Sequence, residues 1–380
     1  MKQTARIIST YSADVFGVCS ALFELGGMVI MHDASGCNST YTTHDEPRWY
    51  DMESMVYISG LSEMEAIMGD DEKLIEDIVS AAEDLNPRFI AIAGTPIPTM
   101  TGFDFAAVAE LIEQRTGIPA FGFSTTGMNS YIHGADMALE AIARRFTVKD
   151  IEKTDFPSAN ILGLTPLDFT VNGNDSAIAK FLEDSGFSVI SRWAMGSSLE
   201  EMAMAGSAHV NLVVSASGLG AARTLQKLFG TPYVVGVPMG EEYRKLVADA
   251  LHDAVGDGES RFPRSDLPGG DIVIIGEGIA SLSLGSSLEL HTGHSTRVLC
   301  PTECDPSLFR SKDCMLRAEK EIEYVLASAK MVIADPLYRP ICPEGTKFLP
   351  LPAEAFSGRI YREQIPNLVV NFEDFTKEVL

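Results

Sequence analysis

At 380 residues the chain is longer than one ordinary hydrophobic core supports, so two or three domains are expected. Its 46% hydrophobic and 22% charged residues are those of a chain that folds unaided, and a formal net charge of −24 excludes broad contact with nucleic acid or an anionic membrane surface. No apolar run reaches bilayer length and residues 1–6 lack the features of a secretory signal, so a cytoplasmic protein is expected.

One cadence recurs along the chain: a helix rich in Ala, Glu and Leu, a Gly or Pro stop, then a short β-branched strand. Asp70 and Asp71 offer an N-cap to a helix ending near 85, and a strand over 89–93 breaks at Gly94-Thr95-Pro96. A helix over 104–115 is stopped by Gly117, a strand follows at 118–123, and a long helix over 134–146 closes the first unit. The second unit reads as strand 160–164, helix 175–185 ending at Gly186, strands 187–190 and 210–215, helix 220–228 and strand 233–237. Residues 256–270, rich in Gly, Pro, Ser and Asp, read as a linker. Strands at 271–275, 297–299, 331–334 and 347–349 mark the third unit. Strands alternating with helices imply βαβ crossovers and parallel sheets, hence an α/β fold of three Rossmann-like, doubly wound domains, divided at 1–154, 155–266 and 267–380. Ligands of such sheets sit beyond the carboxyl ends of the strands, so those loops are where chemistry is sought.

Two glycine clusters invite a dinucleotide reading and fail it. Gly276-Glu277-Gly278 has Ser281 in place of the third glycine, and Cys300 stands where the ribose-binding acid belongs. Gly218-Leu219-Gly220 has Arg223 at its third position. No NAD or FAD site is expected, and without a Walker A sequence no ATP site. No G-x-S-x-G elbow is present, and none of the seven histidines has H-E-x-x-H spacing. The methionine-rich stretch 195–204 has the helical spacing of core residues.

The densest signal lies between Tyr11 and Tyr50. A helix leaving a tight turn at Gly17 carries Cys19 and runs into Met28-Val29-Ile30-Met31-His32-Asp33-Ala34-Ser35-Gly36-Cys37. This order resembles the signature of nitrogenase component 1 proteins, in which an apolar helix leads into His-Gly-Pro-x-Gly-Cys. Residues 121–127 (FGFSTTG), 196–201 (GSSLEE) and 229–233 (FGTPY) are similar to further segments of that family, so the resemblance spans nearly the whole length. It implies three domains around a central cleft and a cysteine, here Cys37, that binds an iron–sulfur cluster at a subunit interface, with Gly36 letting the cluster approach the main chain. Family members usually bring up to three cysteines to that cluster. Ser12 and Thr95 stand where the other two would be, so only Cys37 is in register.

Cys19 is either core or a second ligand, in which case two copies of Cys19 and Cys37 would supply the four thiolates of a [4Fe–4S] cluster; Ser12 or Asp33 would be rarer oxygen ligands. Cys300, Cys304 and Cys342 follow strands of the third unit and are candidate ligands for a second metal cofactor facing the cleft. After Cys37, the run 38–50 mixes hydroxyl, imidazole, carboxylate, guanidinium and aromatic groups, which suit recognition of a substrate or of a second subunit; His44, as a proton donor, and Arg48 are the candidate catalytic residues. The resemblance implies an oxidoreductase component that accepts electrons from an ATP-hydrolysing iron–sulfur partner and reduces a substrate in the cleft. It also implies a two-fold homodimer, or a heterodimer with a paralogous subunit. The alternative is a scaffold that receives a metal cluster or tetrapyrrole and hands it on.

Overall fold

The apolar runs that alternate with amphipathic helices close into three parallel sheets; the computed structural model describes residues 6–9, 13–34 and 45–379. The first sheet contains β1 (Met28–His32), β2 (Met55–Ile58), β3 (Ile90–Gly94) and β4 (Ala120–Phe123) in the order β2-β1-β3-β4. Its centre pairs Met28 with Ile90 and Ile90 with Ala120. The second has β5 (Ser158–Leu162), β6 (Ser188–Arg192), β7 (Val210–Val213) and β8 (Tyr233–Val235) in the order β6-β5-β7-β8. The third has β9 (Ile272–Ile275), β10 (Thr296–Cys300), β11 (Cys314–Met315), β12 (Met331–Ala334) and β13 (Lys347–Pro350) in the order β11-β10-β9-β12-β13. The strands flanking each reversal are buried at every position, because helices cover both faces, and they read as mainly apolar runs; the polar interruptions Asn160 of β5 and Asn211 of β7 bond each other at 2.7 Å. In each sheet the strand order reverses once, between β1 and β3, β5 and β7, and β9 and β12. Those three reversals open the crevices in which ligands bind.

Gly17 differs from its sequence expectation. It is no turn but lies inside the helix Asp14–Leu22, which crosses the long helix Tyr131–Phe146 at backbone contact. A Cβ at Gly17 would overlap the Tyr131 carbonyl, and one at Gly134 would overlap that of Asp14. Two glycines on facing helices therefore permit one close approach. Asp14 fastens the same junction: its carboxylate accepts the N–H groups of Thr126 (3.0 Å) and Gly127 (2.8 Å), holding the loop that starts the long helix.

Two further elements were not legible. β2 is an edge strand with Tyr57 exposed and only Val56 fully buried, too little alternation to register. The helix Glu241–Asp257 takes in the first residues of the expected linker and ends at Gly258, which has φ 80°. The chain then returns across the cleft: helix Glu354–Ser357 packs on helix Pro166–Phe169 of the second unit. Among the described residues no helix is long and apolar enough to cross a membrane.

Candidate ligand-binding cleft

The loops after the reversal strands carry the ionisable groups. After β9, Glu277 caps the helix Gly278–Thr292, accepting the N–H groups of Ile279 (3.1 Å) and Ala280 (2.8 Å). The same carboxylate reaches the second unit, where it accepts the Ala216 N–H at 2.9 Å. After β5, Asp168 accepts hydroxyl hydrogens from Thr165 (2.9 Å), from Ser215 beyond β7 (2.8 Å) and from Tyr131 at the head of the long first-unit helix. After β12, Asp335 accepts from the backbone N–H groups of Leu337 and Ala353, both at 2.9 Å, and from Ser357 Oγ at 2.8 Å.

These groups from all three units line one cavity of about 100 Å³, whose remaining wall is largely apolar. Asp168 is half-buried at that wall, whereas Glu277, Asp335 and Tyr131 are buried. Desolvation pushes all three carboxyls above their usual range, and for Glu277 the nearby charge of Asp168 adds to it. Tyr131 is pushed well above its ordinary value by burial and then by Asp168. Cys300 and Cys304 stand behind Glu277: a Cβ at Gly278 would lie 2.5 Å from Cys304 Sγ and 3.5 Å from Cys300 Sγ. Burial holds both as thiols, raising Cys300 to about 12.

A second hollow of about 120 Å³ lies at the carboxyl end of β1. His32 Nδ1 is 2.8 Å from Ser59 Oγ, and burial pushes this imidazole down to about 4 despite the opposing charges of Asp33 and Glu65. Thr95, after β3, donates its hydroxyl both to the His32 carbonyl (2.9 Å) and to Asp33 Oδ1 (3.0 Å). It braces the backbone leading to residues 35–44.

Of the residues singled out by sequence, Ser12, Gly36, Cys37 and His44 lie outside the described residues. Cys19 is fully enclosed in the core beneath the first sheet, with its thiol raised by burial. Cys342 is half-buried, donates to the Tyr338 carbonyl at 3.4 Å and is raised by burial to about 11. Cys300 and Cys304 come together, yet among the described residues no group of three or more His, Cys, Asp or Glu side chains is arranged to hold a metal ion; the expected set of Cys300, Cys304 and Cys342 does not form. Arg48 is sealed inside. Its guanidinium donates to Glu46, Glu24 and the carbonyls of Ser20 and Ala194, and sits 4.7 Å from the Phe23 ring centre. All five N–H bonds are used, leaving no donor for a substrate.

Sequence reading passed over Tyr131, Asp168, Glu277 and Asp335. The signal was available for the two third-unit acids: Asp335 directly follows β12, and Glu277 follows β9 after the single residue Gly276, both strands at which the sheet order reverses. Asp168 needed the fold, because it lies within the short helix Pro166–Phe169, six residues past the end of its strand.

Fold and site together define a class: an α/β protein of three doubly wound parallel sheets whose ligand cleft is built from the loops at their carboxyl ends. Residues 14–264 match the family described as nitrogenase component 1 type oxidoreductase, and the chain belongs to that family. It is 29% identical over 185 residues to one of the subunits of the light-independent protochlorophyllide reductase of Leptolyngbya boryana, a match covering 45% of this chain and 36% of the relative. It is 26% identical over 209 residues to the nitrogenase iron-molybdenum cofactor biosynthesis protein NifE of Clostridium pasteurianum, covering 53% and 44%. The matches thus span less than half the length of these relatives. The solved structure of nitrogenase Cp1 at pH 6.5 superposes with a TM-score of 0.71 at 16% identity, covering 100% of this chain and 94% of that one, a likeness of fold.

Proposed function

We propose that this chain is a reductase-type component of a nitrogenase-like system. It binds its substrate in the three-unit cleft, pairs with a second subunit, identical or paralogous, and receives electrons from an ATP-hydrolysing iron–sulfur protein. The observation that carries the reading is the cavity itself. In a chain of this family, it gathers Tyr131, Asp168, Glu277 and Asp335 from loops at the carboxyl ends of three sheets. In this reading Cys37 is the interface thiolate and His44 a proton donor. Arg48 is a positioning residue that ties the segment after His44 to the first and second units.

A [4Fe–4S] cluster takes four protein ligands, usually all cysteine. Cys19 is enclosed and Thr95 has its hydroxyl committed to the backbone of His32 and to Asp33, so neither fits such a cluster. Two protomers would then bring only two thiolates from Cys37. That shortfall favours the second reading, a scaffold that receives a cofactor and passes it on. Iron and acid-labile sulfide on anaerobically purified protein test whether a cluster is held at all, and ATP-dependent electron uptake from the partner then separates reductase from scaffold. About four irons per dimer, lost in Cys37→Ala, support an interface cluster. Iron-free protein after reconstitution removes the electron-transfer mechanism and leaves a binding protein that keeps only the fold.

A further inference from the structure

We propose that the cleft cavity takes a small, flat ligand bearing a positively charged nitrogen, of the amidine or protonated heteroaromatic amine class, and excludes anionic ligands. The inference deepens the reading of the cleft as the ligand site and concerns only what enters it.

Three features carry it. First, Asp168, Glu277 and Asp335 stand at the wall, and no Lys, Arg or His is among the described residues that line the cavity. An anion placed there would be desolvated beside carboxyl groups with no counter-ion, a cost that a low-dielectric wall magnifies. A cation would gain charge-assisted hydrogen bonds from oxygens already oriented by neighbouring hydroxyl and N–H groups.

Second, the feature of this wall that would ordinarily attract an anion is already occupied. The helix starting at Gly278 follows a glycine-flanked turn, the arrangement that elsewhere presents free N–H groups to phosphate. Here Glu277 accepts the N–H groups of Ile279 and Ala280 and that of Ala216 across the cleft. That side chain, between the two glycines of the turn, occupies the place an anion would take and puts carboxyl oxygens at the wall instead.

Third, the rest of the lining is apolar, including Val237, Ile275, Leu351 and Phe356. A cavity of about 100 Å³ is smaller than the apolar cavities of roughly 150 Å³ that hold benzene, so it takes a small flat group rather than a substituted benzene ring. Flatness and charge are thus demanded together, the flat apolar surface by the wall and the charged nitrogen by the acids.

The test is isothermal titration of the full chain at one neutral pH with three near-isosteric probes: acetamidinium, acetamide and acetate. Wild type is expected to bind acetamidinium at one site per chain and acetate at least about tenfold more weakly. Asp168→Asn and Glu277→Gln are each expected to shrink that gap to about threefold or less, and Ala280→Phe, which fills the cavity, to abolish acetamidinium binding. Should the acid variants fail to fold, the wild-type ordering of probes and the cavity-filling variant decide. The proposal is overturned if acetate binds as tightly as acetamidinium or if acetamidinium does not bind. It is equally overturned if binding survives Ala280→Phe or if the preference is unchanged in both folded acid variants. Failure of electron uptake from a reductase partner would refute the functional reading while leaving this ordering of probes intact.

Discussion

Replacing Arg48 with methionine keeps most of the side-chain volume and removes the charge. The guanidinium lies 2.7 and 3.1 Å from the two Glu46 oxygens, 2.9 Å from Glu24 Oε1, and 2.9 and 2.8 Å from the carbonyls of Ser20 and Ala194. Its side chain is 4% exposed and those of Glu46 and Glu24 are 0% and 9% exposed, so solvent cannot replace the lost partner. Five charge-assisted bonds at about 2 kcal/mol each would sum to some 10 kcal/mol, but bonds of one group are not additive. Breaking a buried pair by removing one partner costs about 3–5 kcal/mol, and that is the loss expected here at neutral pH. Urea denaturation followed by tryptophan fluorescence is well placed to measure it, since the two tryptophans, Trp49 and Trp193, adjoin the clamp in sequence at Arg48 and Ala194. Adding Glu46→Gln should recover about 1–2 kcal/mol by neutralising one stranded carboxylate. A loss below about 1 kcal/mol, the size expected of a surface pair, would refute the reasoning.

Other consequences are as direct. Gly17→Ala or Gly134→Ala pushes a methyl group into the facing helix backbone and should lower stability by more than about 2 kcal/mol; an unchanged denaturation midpoint would mean the helices can part freely. Asp136 accepts the Gly220 N–H at 2.6 Å, and desolvation raises its carboxyl to about 7. Because the unfolded chain releases this proton near pH 4 while the folded chain keeps it, the aspartate costs stability progressively between about pH 4 and 7, by up to about 4 kcal/mol. Asp136→Asn should therefore gain on wild type as pH rises through that window, and parallel stability–pH curves would contradict the assignment. Thr170 sits at φ 48° with its buried hydroxyl lacking a hydrogen-bond partner, so Thr170→Gly should stabilise by about 1 kcal/mol in the same denaturation assay. Cys19→Ala should leave iron content unchanged, whereas loss of iron would return Cys19 to the ligand set.

How far the sequence carried the account depended on whether the signal was local. The buried strands β3, β7, β9 and β12 were readable because full burial leaves short, mainly apolar runs rich in Ile and Val, and glycines such as Gly117 and Gly186 marked helix ends. The edge strand β2 was not, since Tyr57 faces outward and its partner lies across a loop. Gly17 was misplaced for a related reason: the need for glycine comes from a carbonyl more than a hundred residues away, which no local pattern records. Arg48 was singled out for its chemically dense neighbourhood, but density of polar groups does not distinguish a reactive rim from a sealed ion-pair network. Glu277 was seen only as the residue between two glycines of a motif that fails at Ser281 and Cys300; its role emerges once β9 is known to border the reversal in the third sheet and the Ala216 turn to face it.

The most direct test of the central claim is electron uptake. The anaerobic chain would be mixed with a dithionite-reduced nitrogenase-type iron–sulfur protein and MgATP, and oxidation of that partner followed by its visible absorbance. The account predicts oxidation coupled to ATP hydrolysis, absent with a non-hydrolysable analogue and lost in Cys37→Ala. No oxidation at any ratio of the two proteins, in a chain that still binds ligand in the cleft, would contradict the reductase reading and leave the scaffold in its place.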